Sequence, residues 1–145
     1  MSKPDQARIA GRLAVAYMMT VASEVLRRFP IDMLDLLLVT TIANLNLLAD
    51  GQEAPDAAIL SDSVPRRVGV SRNAVSRAVN VPLETVRRRI GGLIDKKVLI
   101  ERMDGIVFAP DNPIGLGNNT DMSQRNLDLL RQLFRGLKAA GIELD

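Results

Sequence analysis

Residues 71–90, SRNAVSRAVNVPLETVRRRI, contain the local signals for two helices joined by a tight turn. Ser71 is suited to cap a helix over Arg72–Val79, because a serine hydroxyl accepts a hydrogen bond from a backbone N–H in the first helical turn. Asn80 is one of the few non-glycine residue types that tolerate left-handed backbone, where a chain turns sharply. Pro82 suits the first position of the next helix. Two helices joined in this way must cross at a steep angle.

A β-hairpin is predicted after the second helix, which continues through Ile94. The segment VLIERMDGIVFAP, residues 98–110, has flanks rich in valine and isoleucine around Asp104 and Gly105. We expect these two central residues to supply the positive backbone angles of a two-residue turn.

Upstream, residues 31–50 predict a helix that ends before Gly51. Apolar residues recur there at intervals of three and four, at Leu34, Leu37, Leu38, Ile42, Leu45 and Leu48. Because further apolar residues lie on other sides, we expect this helix to be central and largely buried. Residues 51–65 are acidic, contain two prolines and predict a connection.

The first 30 residues resemble a secretory signal, since three basic residues precede the apolar run LAVAYMMTVA, residues 13–22. Asp5 interrupts that basic region, and a run of this length is too short to span a bilayer. Apolar residues recur every four positions, at Ile9, Leu13, Tyr17, Val21 and Val25. We therefore expect an amphipathic structural helix in a cytoplasmic protein without a membrane partner.

Near the other end, Leu127, Leu130, Phe134 and Leu137 form a narrow apolar seam at spacings of three, four and three. Such a seam suits a partner helix. Two interpretations remain open: dimerisation through this helix, which we favour, or packing of the helix against the first helix of its own chain.

Composition limits the classes of function. The 145 residues are 47% hydrophobic and include neither cysteine nor histidine. The chain is long enough for one domain with a substantial core. Disulfides, zinc sites of the usual ligands and histidine-activated nucleophiles are excluded, and no recognisable pair of catalytic acids is present. We expect no enzymatic activity, no metal and no cofactor.

The charge is unevenly distributed. Residues 66–102 contain ten basic and three acidic residues, whereas the rest of the chain contains nine basic and fourteen acidic ones. A polyanion that meets one part of the surface would account for this asymmetry, although charge runs are more often solvated faces.

The order of helices followed by a hairpin, together with specific residues, resembles a winged helix-turn-helix DNA-binding protein of the bacterial transcription-regulator type. The similarity extends over VPLETVRRRIGGLIDKKVLIERMDGIVF and over small and apolar positions at which the two helices of this motif pack, namely Val75, Ser76, Val79, Asn80, Val81, Val86 and Ile90. The resemblance implies a mainly α fold. It covers roughly residues 31–110, which we expect to form a winged helix-turn-helix domain with a small hairpin wing. We also expect an N-terminal helix at 1–30, for packing or dimerisation, and a linker with a C-terminal helix at 111–145, which could mediate dimerisation.

This resemblance makes the second helix the one that enters the major groove of DNA. If Val86, Ile90 and Leu93 face inwards, Arg88 lies opposite them and Arg87 lies on the outer half. Arginine pairs bidentately with the guanine edge. The full predicted DNA-binding set is Arg66, Arg67, Ser71, Arg72, Leu83, Glu84, Thr85, Arg87 and Arg88.

Several residues of this region have alternative predicted roles. Glu84 would either accept a hydrogen bond from cytosine or cap the backbone at Val81. Arg89 would reach either a phosphate or an acidic side chain of its own domain. Gly91 and Gly92 indicate a close backbone approach or a helix that firms up on binding. Asp104 would be repelled by phosphate, so we do not expect the wing to enter a minor groove.

The favoured function is sequence-specific binding of double-stranded DNA by a homodimeric transcriptional regulator. Alternatives are a DNA-binding module in replication, partition or phage control, and a winged-helix scaffold whose arginines meet acidic protein surfaces. Neither an operator sequence nor an effector ligand follows from the sequence.

Overall fold

The computed structural model describes residues 2–48 and 67–145. This part of the chain is mainly helical, with five helices and a two-stranded antiparallel sheet. In chain order the elements are α1 (Lys3–Arg28), α2 (Met33–Leu48), α3 (Arg72–Val79), α4 (Leu83–Asp95), β1 (Leu99–Arg102), β2 (Gly105–Phe108) and α5 (Thr120–Ala139).

The chain divides into two compact units. We call residues 31–116 the central unit, and residues 1–30 together with 117–145 the paired-helix unit. The central unit therefore extends six residues beyond the predicted boundary after residue 110. The reason is Asn112, a buried side chain whose amide donates to the carbonyls of Ala109 and Leu116, both at 2.8 Å, and accepts from the Leu116 N–H at 2.9 Å.

In the paired-helix unit, α1 and α5 lie antiparallel. The Gln6 side chain donates to the Gly141 carbonyl at 3.0 Å, and Arg125 donates to Glu24 through Nε at 2.8 and 3.1 Å. The predicted stripe of α1 is the covered side of this helix: Val25 is buried, and its other four residues are half-buried.

The face of α5 that meets α1 differs from the predicted seam. Leu129 and Leu133 line a cavity with Leu13 and Tyr17 of α1, and Gly136 lies against Leu13. By contrast, Leu127 is 41% exposed and Phe134 is 50% exposed, while Leu130 and Leu137 are half-buried. At 100° per residue, the predicted seam lies about 100° around the helix axis from the face that meets α1. The helix does pack against α1, but with other residues.

Helix α1 is longer than the apolar run suggested. It extends over 26 residues, and by length and composition it could cross a membrane, a test that core helices and signal sequences also pass. The prediction that this segment is too short counted only residues 13–22 and was wrong. Val15, Met18 and Met19 are about half exposed and lie on the side of α1 away from α5.

In the central unit, α2 contacts α3, α4 and β2. Leu38 and Ile42 are fully buried, but Leu37 is 45% exposed and Leu48 is also exposed, contrary to the prediction. Asn46, a polar residue that the apolar pattern passed over, occupies a fully buried position instead.

The Asn46 side chain is buried because backbone groups satisfy it. Its amide nitrogen donates to the carbonyls of Val68, at 2.7 Å, and Ile106, at 3.0 Å, and its oxygen accepts from the Phe108 N–H at 3.0 Å. One side chain thereby fastens α2 to β2 and to the segment before α3.

The two helices around Asn80 form as predicted. The Ser71 hydroxyl accepts from the Ala74 N–H at 3.1 Å, α3 has the predicted bounds, and Asn80 adopts left-handed backbone with φ 55°. Pro82 precedes α4 as its N-cap rather than occupying its first position, one residue from the prediction. Val86, Ile90 and Leu93 are buried, so the predicted inner face of α4 is confirmed.

The hairpin pairs Leu99 with Phe108 and Arg102 with Gly105, which leaves Met103 and Asp104 as its two-residue turn. The predicted turn was thus displaced by one residue, since only Gly105 of the predicted pair has positive φ, at 129°. Glycine is required there because a Cβ would lie 2.6 Å from the Val70 carbonyl oxygen. Val70 pairs with Ile106 through hydrogen bonds of 3.0 and 2.8 Å, which adds an isolated bridge to the sheet.

Candidate nucleic-acid interface

The outer face of α4 presents two exposed arginines. Arg87 makes a long ion pair of 3.8 Å with Glu84, and both side chains are mostly exposed. Such a pair contributes little to stability, so it leaves Arg87 available to a ligand. Arg88 is exposed and forms no ion pair with any described residue. The prediction that Arg87 and Arg88 lie outside the packed face of α4 is confirmed.

The start of α4 lacks a side-chain cap. Pro82 is the N-cap residue, and no side-chain hydrogen bond caps the helix there. The Glu84 side chain is 88% exposed, so its predicted capping bond to the backbone at Val81 is wrong. Leu83 and Thr85 are half-buried and flank it. Glu84 lies in the first turn, where the helix dipole favours a negative charge.

At the start of α3, the charge of Arg72 is already shared. Its guanidinium donates to both carboxylate oxygens of Glu101, at 2.9 and 3.3 Å. That hydrogen bond lowers the pKa of Glu101. Ser71 uses its hydroxyl to cap the helix. Arg77, near the other end of α3, is exposed.

The Arg67 side chain packs against its own unit and is partly buried. Its guanidinium lies over the Phe108 ring, 5.4 Å from the ring centroid, and burial lowers its pKa. Arg67, which the sequence placed among the DNA-binding residues, thus has a partner within its own unit. Arg66 lies outside the described residues.

The hairpin turn is fastened to the segment before α3. Asp104 accepts from the Gly69 N–H at 2.8 Å and from Arg102 at 3.0 and 2.8 Å, while Arg102 also donates to the Arg67 carbonyl at 2.8 Å. The bond from Arg102, followed by that from Gly69, lowers the pKa of Asp104 to about 2. The carboxylate that was expected to repel phosphate is therefore neutralised by Arg102, and Met103 beside it is fully exposed.

Arg89 takes the second of its two predicted roles. Its Nη1 donates to Asp32 Oδ2 and lies 3.6 Å from Asp35 Oδ1. The Asp35 backbone hydrogen bond, followed by the Arg89 side chain, lowers the pKa of Asp32. Arg89 therefore binds acidic side chains at the start of α2.

A shallow groove of about 400 Å³ joins α4, the start of α3 and the hairpin. Its polar and charged lining residues are Ser71, Arg72, Asn73, Arg87, Glu101, Arg102 and Asp104. Three of the nine predicted DNA-binding residues meet there. The prediction missed Asn73 and Arg102, although the proximity of Arg102 to the hairpin turn was a signal available in the sequence.

Comparison with known proteins does not identify a relative: no protein-family model, curated protein or solved structure matches the chain. Across residues 2–48 and 67–145, no three carboxylate side chains cluster in a way that could hold a metal ion. The candidate site is thus defined by its geometry and charge.

Proposed function

We propose that the central unit is a winged helix-turn-helix domain that binds double-stranded DNA, and that the protein is a dimeric transcriptional regulator. The observation that carries the proposal is the contrast between the two faces of α4. Val86, Ile90 and Leu93 fix one face in the core, while Arg87 and Arg88 project from the other.

In the proposed complex, α4 lies in the major groove. Arg88 and Arg87 donate to guanine edges, and Leu83 and Thr85 lie near the helix start, where base contacts concentrate in this motif. Glu84, without a capping role, is available to accept a hydrogen bond from cytosine.

The groove between α3 and the hairpin is proposed to hold the adjacent sugar-phosphate backbone. Arg87 and Arg72 line it from different elements. Because Glu101 already pairs with Arg72, phosphate would have to compete for that guanidinium. We therefore expect Arg72 to contribute little to the phosphate affinity, and we assign none to the packed Arg67.

Dimerisation is proposed to use the seam of α5, defined by Leu127, Leu130, Phe134 and Leu137. This seam is not the face that meets α1, and two of its four residues are exposed. A two-fold dimer would present two α4 helices to half-sites about one helical turn apart. This role would place the protein in the cytoplasm.

Binding measured against salt tests the proposal. Duplexes selected from a random pool should bind with an affinity that falls steeply as salt increases, because each neutralised phosphate releases counterions. A selection that yields no preferred duplex would reject sequence-specific recognition. Salt-independent or undetectable duplex binding, together with salt-sensitive binding to an acidic protein surface, would favour the interaction-scaffold alternative.

A further inference from the structure

A cluster of three charged residues connects α4 to the start of α2. Asp32 Oδ1 accepts from the Asp35 N–H at 2.9 Å, and Asp32 Oδ2 accepts from Arg89. The Arg89 guanidinium also lies 3.6 Å from Asp35 Oδ1. One arginine therefore bridges two carboxylates that belong to the first turn of α2 and the residue before it.

The position of Arg89 within α4 allows this cluster to restrain the rotation of the helix about its own axis. Arg89 lies between Arg88, which is exposed, and Ile90, which is fully buried. Apolar contacts through Ile90 are not directional, whereas a charge-assisted hydrogen bond has a preferred geometry. A contact at the edge of the packed face therefore resists rotation of α4 about its own axis.

The carboxylate side of the cluster is fixed independently of Arg89. Asp32 is held by the capping bond to Asp35, and its own carbonyl accepts from the Leu36 N–H at 2.9 Å. Asp35 is only 7% exposed, so its charge requires a nearby partner. The two aspartates are therefore fixed at the start of α2, and Arg89 binds them from α4.

We propose that Arg89 is a positioning residue, which sets the rotation of α4 and thereby the direction in which Arg87 and Arg88 point. This inference rests on the proposed DNA-binding function. It predicts that loss of the cluster lowers discrimination between duplexes rather than only the affinity for DNA.

Asp32→Asn separates positioning from direct phosphate contact. Asparagine is as good an N-cap as aspartate, so the bond to Asp35 is retained while the ion pair with Arg89 is weakened. If Arg89 positions α4, this variant discriminates less well between the selected duplex and a scrambled duplex of the same composition. If Arg89 is a direct DNA ligand, the freed guanidinium keeps or improves discrimination.

The measurement is the ratio of dissociation constants for the scrambled and the selected duplex. We expect Asp32→Asn and Arg89→Ala each to lower this ratio about tenfold, and the double variant to lower it hardly further, because both remove one interaction. Arg89→Lys should restore part of the ratio by keeping a cation near Asp32. The matched control is Arg135→Ala, which removes one exposed arginine from α5 and should leave the ratio unchanged.

Hydrogen exchange of the backbone amides of α4, measured without DNA, gives a second readout. Exchange should accelerate in Asp32→Asn and Arg89→Ala but not in Arg135→Ala. An unchanged discrimination ratio in Asp32→Asn would overturn the positioning role. If the wild type binds no duplex, the proposed function fails, and the exchange data alone decide whether the cluster holds α4: unchanged exchange would overturn that as well.

Discussion

Two polar side chains in this protein have structural roles that their residue types do not predict. Asn46 fills a core position because three backbone groups bind its amide, and Asp104 becomes part of the hairpin structure because Arg102 and Gly69 bind its carboxylate. The partners of Asn46 lie 22 to 62 positions away in sequence, and Gly69 lies 35 positions from Asp104, whereas Arg102 is only two residues away. The structural role of each side chain therefore depends on the groups that hydrogen-bond to it.

The first prediction concerns Asn46. Asn46→Ala removes three hydrogen bonds and leaves buried backbone groups without partners, so it should lower the free energy of unfolding by about 3 kcal/mol. Asn44→Ala, at an exposed position of the same helix, is the control and should change it by less than about 0.5 kcal/mol. Denaturant unfolding of both variants measures the difference. Equal effects would mean that the Asn46 network does not stabilise the fold.

The second prediction concerns Asp104 and pH. Because its pKa is lowered to about 2 from an ordinary value of 3.8, the stability that it contributes is complete above the ordinary value and is lost as pH falls through the folded value. The Gly69 amide resonance, followed by NMR, should therefore shift with a midpoint near pH 2. Asp104→Asn should abolish this transition. A midpoint close to 4 would show that Arg102 and Gly69 do not hold the carboxylate in solution.

A third prediction separates base contact from phosphate contact. Arg88→Ala should weaken binding to the preferred duplex by about 1 to 3 kcal/mol and relax the base preference at one position. Arg77 is an exposed cation of α3 for which we propose a contact with phosphate rather than with bases, so Arg77→Ala should weaken binding to all duplexes alike. Fluorescence anisotropy with single-base variants of the duplex distinguishes them. If both variants bind as the wild type does, α4 is not the recognition helix.

At the scale of elements, local signals predicted the helices and the hairpin well and side-chain partners poorly. The bounds of α3 and the turn at Asn80 were correct because Ser71 and Asn80 act on backbone groups within a few residues. The buried face of α2 was only partly correct, since a buried asparagine looks polar in an apolar pattern. The ion pairs of Arg72 and Arg89 join residues 29 and 57 positions apart, so no local pattern predicts them.

The glycines also differ in whether tertiary contacts require the absence of a side chain. Of the two predicted explanations for Gly91 and Gly92, a close backbone approach is wrong, because a Cβ at either position would have no described atom within 4 Å beyond its chain neighbours and its own helix backbone. A helix that becomes ordered on binding stays a prediction. Gly92→Ala, at an exposed helix position, should raise the free energy of unfolding by about 1 kcal/mol. Gly105→Ala should lower it, because a Cβ there would clash with Val70. Thermal unfolding compares the two, and stabilisation by both would contradict the described hairpin packing.

At the scale of the whole molecule, the proposed dimer depends on the apolar seam of α5. Phe134→Asp places a charge in the proposed interface and should convert a dimer to a monomer while the helical content is unchanged. Met103→Asp makes the same kind of change at an exposed apolar residue of the hairpin turn, outside the seam, and should leave the dimer intact. Sedimentation and circular dichroism measure both properties. A wild type that is monomeric at micromolar concentration would reject dimerisation through this seam.

The antiparallel pairing of α1 with α5 also has a consequence for folding during synthesis on the ribosome. Gln6 and Gly141, which bind each other, are separated by 135 positions, whereas residues 31–116 are continuous in sequence. The central unit can therefore fold as soon as it has been synthesised, but α1 must wait for α5 with its apolar stripe uncovered. We expect translation that stops before residue 120 to yield a chain in which the central unit is folded and α1 exposes its apolar stripe. Such a fragment should be bound by chaperones or degraded by proteases.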